Sequence, residues 1–68
     1  MQWAKCALVE IDPDKLGGKP VVRGTRVAAQ TIVDDYEQGS RVEEIHENFP
    51  SVPISTIRKI IEFAHTHN

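Results

Sequence analysis

The sequence holds 68 residues with a formal net charge of −2, a single cysteine and no apolar run near the roughly 20 residues of a membrane span. That describes one small domain, residues 1–68, expected to be soluble and cytoplasmic, with no internal disulfide and no four-ligand zinc site. At this length roughly 60% of the unfolded chain's surface can be buried, so stability is marginal without a staple or a partner.

In chain order, residues 1–5 are expected to be loosely held, although Trp3 is a large apolar group to leave in water. Residues 7–11, ALVEI, read as a short strand, and Asp12-Pro13-Asp14 as a turn. Gly17-Gly18-Lys19-Pro20 permits positive φ and fixes the exit. Val21-Val22-Arg23 predicts a second strand, Gly24-Thr25 a corner, and Arg26-Val27-Ala28 extended chain. Gln30 or Thr31 opens the first helix, with Ile32, Val33 and Tyr36 inward and Gly39 as its stop.

Residues 39–64, GSRVEEIHENFPSVPISTIRKIIEFA, organise the rest. Ser40 is the expected N-cap, with Glu43 reaching back in a capping box. Val42, Ile45 and Phe49 recur on one helical face. Asn48-Phe49-Pro50 stops that helix, because the residue before proline is pushed out of the α region. Pro53 re-enters in a first turn, and Ile54, Ile57, Ile61 and Ala64 make the next apolar stripe. Residues 65–68 are expected to fray. Two helices joined by a corner of a few residues follow the helix-turn-helix plan. The fold class is therefore mainly α: a three-helix, homeodomain-like bundle over residues 29–68, with a short β-rich arm over residues 1–28.

Gly18, Pro20, Val22, Gly24, Thr25, Arg26 and Val27 resemble the motif G-x-P-x-[IV]-x-G-T-R-[IV] of the small prokaryotic family known as domain of unknown function 433. Gly39, Ser40, Glu44-Ile45, Phe49-Pro50 and Ile57-Arg58 resemble its downstream positions. Ala28 stands where that family commonly has proline, and Lys59-Ile60 where small residues are usual. The resemblance implies a β-rich arm on a homeodomain-like bundle. It also implies an antitoxin-like role beside a PIN-domain-like nuclease toxin.

Charge is unevenly spread. Residues 1–30 carry +2, residues 31–50 carry −5 and residues 51–68 carry +1, so a phosphate-facing surface must use the chain's two ends. As a DNA reader, the last helix would present Ser55 and Thr56 near its start and Arg58 and Lys59 as main contacts, with Arg41 and Arg26 bracing the backbone. Glu62 on that face opposes phosphate, and an ordinary solvated face is the alternative. Ile57, Ile60, Ile61, Phe63 and Ala64 span about half the helix circumference, wider than the roughly 100° stripe of a surface helix. Either Ile60 and Phe63, with Trp3 and Leu8, meet a partner or second copy, or the N-terminal strands fold over that flank.

Gly17-Gly18-Lys19-Pro20, with Lys15, Arg23 and Arg26, could cradle a phosphate, but it lacks P-loop spacing and reads better as a turn between strands with solvated basic side chains. The resemblance, which keeps a charged residue at this strand start, implies that Arg26 holds a helix C-terminus or the acidic middle segment. His65 and His67, two apart, share no helix face, and neither they nor His46 find completing ligands, so no metal or other cofactor is expected. No nucleophile–base set or carboxylate pair is readable, so no catalytic residue is assigned and no enzyme is expected. Two functions remain. One is a homodimeric antitoxin-like regulator that binds operator DNA and a PIN-like nuclease toxin, its recognition helices about 34 Å apart. The other is a module that neutralises or docks a partner protein through its acidic and apolar surfaces without touching DNA.

Overall fold

The computed structural model describes residues 2–67; Met1 and Asn68, both assigned above to loose ends, lie outside them. The described chain is mainly α, with α1 over Ala29–Glu37, α2 over Val42–Asn48 and α3 over Ile54–Thr66. Ahead of these come a 3₁₀ turn at Trp3–Lys5, β1 at Val9–Glu10, a second 3₁₀ turn at Leu16–Gly18 and β2 at Val21–Val22. The two strands pair antiparallel, Val9 opposite Val22 and Glu10 opposite Val21. Val21 also bridges to Ala28, so the expected third extended stretch shrinks to one residue pair before α1.

Hydrogen bonds of the G-T-R stretch explain the short hairpin. The Thr25 N–H and hydroxyl both donate to the Val22 carbonyl, and the Val27 N–H donates to Thr25 Oγ1. Gly24 sits at φ 81°, in the left-handed region that a side chain disfavours. The turn thus returns the chain to place Ala29 in the core, where it is fully buried.

Helix α1 ends as the sequence predicts. The Gly39 N–H donates to the Tyr36 carbonyl and the Ser40 N–H to the Asp35 carbonyl, with Gly39 at φ 107°: a Schellman ending that needs glycine at its left-handed position. The start of α2 is one residue later than expected. Arg41 occupies the N-cap position, and its N–H donates to Glu44 Oε1 at 2.9 Å. Ser40 does not cap the helix; its hydroxyl donates to Asp35 Oδ1 at 2.6 Å, tying the loop back to α1. Arginine offers no acceptor to the helix start, so only the carboxylate half of a capping box operates.

Residues 49–53 form the corner between α2 and α3. Phe49 leaves the helical region, the Val52 N–H donates to the Phe49 carbonyl, and Pro53 serves as the N-cap of α3 rather than standing inside its first turn. His46 Nδ1 lies 2.7 Å from the Val52 carbonyl. A carbonyl only accepts, so Nδ1 carries the proton and the ring pins the corner to α2.

One apolar cluster unites both halves of the chain: Trp3, Cys6, Val9 and Val22 from the arm with Ile32, Val33, Ile45, Val52, Ile57, Ile60, Ile61 and Ala64. Tyr36, expected inward, is instead exposed. Trp3 is the larger correction. It is not loosely held but buried, its ring stacked on Phe63 at 5.5 Å and its indole N–H donating to Gln30 Oε1 at 3.2 Å. At the other end, α3 keeps His65 and Thr66 helical rather than frayed.

Candidate nucleic-acid interface

The outer face of α3 is where the sequence-predicted contacts gather. Ile57, Ile61 and Ala64 turn into the core, so the helical period of about 3.6 residues sends Ser55, Arg58, Lys59 and Glu62 outward, and all four are exposed. Thr56 is half-buried, which leaves Ser55 as the freer hydroxyl at the helix start. Arg58 does not stand alone: its Nη2 lies 3.6 Å from Glu43 Oε2, a carboxylate in the first turn of α2.

Arg41 and Arg26 are both exposed but differ in position. Arg41 sits at the start of α2, the helix that supplies Glu43. Arg26 belongs to the hairpin, and its guanidinium reaches the Asp14 carbonyl at 3.5 Å. That is long for a hydrogen bond, and it joins Arg26 neither to a helix end nor to the acidic segment, contrary to expectation. Asp14, like Arg26 itself, belongs to the arm. The structure therefore assembles Ser55, Arg58 and Lys59 into one face and leaves Arg26 on the arm.

The expected partner surface is also redistributed. Ile60 is fully buried and Trp3 is buried over Phe63, while Leu8 and Phe63 are half-buried against the same core. Trp3 of the arm covers Phe63, and the rest of the wide apolar arc of α3 packs into the chain's own core, so Ile60 and Trp3 are core residues rather than an exposed docking face. The large apolar side chains that do stand exposed among the described residues are Ile11, Leu16 and Tyr36.

Gly17 and Gly18 do adopt positive φ, as does Leu16 at 49°. The N–H groups of Gly18 and Lys19 are already donated to the carbonyls of Lys15 and Leu16, so the backbone there closes on itself instead of opening a phosphate cradle. Lys15 is similarly engaged: its Nζ lies 2.9 Å from Glu10 Oε1. Glu10 also accepts the Gly24 N–H at 2.8 Å. The Lys15 hydrogen bond, then the Gly24 N–H, hold the Glu10 carboxyl below its usual 4.5, against a smaller opposing effect of burial. Arg23 donates to the Ala7 and Val9 carbonyls at 3.2 and 3.0 Å. These cations brace the arm. Among the described residues no cluster of three or more His, Cys, Asp or Glu is placed to hold a metal, and no helix is long and apolar enough to cross a membrane.

Glu43 and His46 are the residues that reading the sequence missed. The spacing of Glu43 from Ser40 predicts a cap and carries no hint of a partner on the next helix. His46 finds no completing metal ligands in the sequence, whereas its place three residues before Phe49-Pro50 marks a side chain able to reach the corner.

A small three-helix protein with a helix-turn-helix pair, exposed cations on its last helix and a hydrogen-bonded β arm is the class these observations define. The chain belongs to the family described as "Protein of unknown function (DUF433)", whose sequence model matches residues 9–64. It is also similar to "Uncharacterized protein y4eO" of Sinorhizobium fredii (strain NBRC 101917 / NGR234), 43% identical over 51 residues. That match covers 75% of this chain but only 23% of the relative's length. No solved structure matches the chain.

Proposed function

We propose that the chain is an antitoxin-like DNA-binding regulator that acts by binding, without catalysis. In this reading it is a dimer whose α3 helices dock on operator DNA and whose remaining surface engages a PIN-like nuclease toxin. The observation that carries it is the exposed Ser55–Arg58–Lys59 face on the second helix of a helix-turn-helix pair. Small polar groups at a helix start and two cations one turn on suit phosphate and base-edge contacts in a major groove. The body measures 30 × 24 × 19 Å, so two copies side by side are compatible with recognition helices about 34 Å apart. Two copies also double a basic face too small to hold DNA singly.

The docking alternative loses part of its support, because Ile60 is buried and Phe63 lies under Trp3. Its remaining support is the acidic surface of α1 and α2, where Asp34, Glu37, Glu43, Glu44 and Glu47 are all exposed. The two readings part in a mobility-shift assay against the DNA upstream of the protein's own gene. Arg58→Ala with Lys59→Ala should weaken binding by about tenfold or more and flatten its salt dependence by about two contacts. Binding indifferent to that double substitution removes α3 as the reading face. Co-purification of a neighbouring gene's nuclease without any DNA binding favours the alternative.

A further inference from the structure

On the α3 face Arg58 has an acidic neighbour, Glu43, that comes from a different helix. Glu43 lies in the first turn of α2, where the positive end of the helix dipole favours a carboxylate. Its Oε2 is 3.6 Å from Arg58 Nη2, and the two side chains are 60% and 64% exposed. At that distance and exposure the pair is a screened attraction, not a fixed hydrogen bond. It can therefore be exchanged for another anion.

We propose, resting on the DNA-binding reading above, that Glu43 is a counter-charge that restrains Arg58 from indiscriminate phosphate binding. Any phosphate that engages Arg58 must first displace Glu43 and then tolerate it alongside. A duplex that offers Arg58 only a passing backbone contact is discriminated against. A site that also satisfies Lys59 and Ser55 has further contacts to offset the lost pair. The carboxylate thus raises specificity by weakening the wrong complexes, at some loss of affinity for all of them. Glu43 touches no base in this scheme; it is a positioning residue acting through Arg58.

The test is a double-mutant cycle in the full chain, read as affinity for a mixed-sequence duplex and for the upstream DNA of the gene. Glu43→Gln should tighten mixed-sequence binding about two- to fivefold at low salt, the range an exposed ion pair commands, with a smaller gain on the upstream DNA. In an Arg58→Ala background the same substitution should lose most of that gain. Glu47→Gln, an equal charge change elsewhere on α2, should show less of it. A gain that persists in full without Arg58, or no gain at all, overturns the restraint while leaving DNA binding intact. Failure of every form, wild type included, to bind either duplex overturns the DNA-binding reading and the restraint with it. Unchanged unfolding midpoints for Glu43→Gln separate the effect from any loosening of the fold.

Discussion

Residues 2–28 and residues 29–67 share one core, yet the first stretch is fixed largely by side chains that grip backbone while the second is fixed by apolar burial. In the arm, Arg23 holds two carbonyls, Glu10 holds an N–H and Thr25 closes its own turn. In the helices, Ile32, Ile45, Ile57 and Ile60 expose nothing. Hydrogen bonds on an exposed arm each contribute about 1 kcal/mol, whereas each buried aliphatic contributes two or more. The helices should therefore set the stability of the whole, with Trp3, the largest of the arm's buried side chains, joining Cys6, Val9 and Val22 to make the arm part of it.

Two truncations break that comparison most severely if it is wrong. Ile57→Ala removes a fully buried side chain from α3. It should cost about 4 kcal/mol, leaving only about 1 kcal/mol in a domain whose total stability is on the order of 5 kcal/mol. Trp3→Ala removes the stack on Phe63 and the bond to Gln30, and should cost about 3 kcal/mol. Urea unfolding followed by circular dichroism measures both. A Trp3→Ala midpoint equal to wild type would mean that the arm is carried passively.

How much of this arrangement the amino-acid pattern reveals follows from the range of the interactions involved. Periodicity places Ile45, Ile57, Ile61 and Ala64 inward, Gly39 marks the end of α1, and Asn48-Phe49-Pro50 marks the corner, because each is decided within one helical turn. The outward face of α3 follows from the same local geometry. Trp3 reaches Gln30 across 27 positions, and no local pattern specifies that distance. For the same reason the local pattern is equally compatible with a partner or the chain's own arm over Ile60 and Phe63. The Glu43–Arg58 pair depends on how two helices cross, which residue spacing along either one does not encode.

A subtler contrast lies in pH. Glu10 is held below its usual 4.5 by Lys15 and the Gly24 N–H. A depressed carboxylate value contributes stability that is complete above the unfolded value and is lost as pH falls through the folded one. Wild-type stability should therefore decline from about pH 5 downward, and Glu10→Gln should decline less steeply over the same window while starting lower at neutral pH. Unfolding midpoints across that range check it. Parallel curves would mean that Lys15 and Gly24 gain nothing from the carboxylate charge. Because the loss falls on the arm, protection of the Gly24 amide against hydrogen exchange should weaken before that of α3 amides.

The smallest effect distinguishes two carboxylates that are adjacent in the chain. If Ser40 were the cap of α2, Glu43 would be the residue reaching back, and its removal would fray the helix. With Arg41 at that position the returning carboxylate is Glu44, bonded to the Arg41 N–H at 2.9 Å, while Glu43 faces Arg58 across the solvent-exposed boundary with α3. Glu44→Ala should thus cost about 0.5 kcal/mol, the value of one satisfied helix-start donor on an exposed turn. Glu43→Ala should cost less, because an exposed pair at that distance is worth only a few tenths of a kcal/mol at moderate salt. The reverse order would move the cap back to Ser40 and would rotate Glu43 away from the cation it is proposed to restrain. A stability difference near the limit of measurement therefore decides which acid is available to Arg58 on α3.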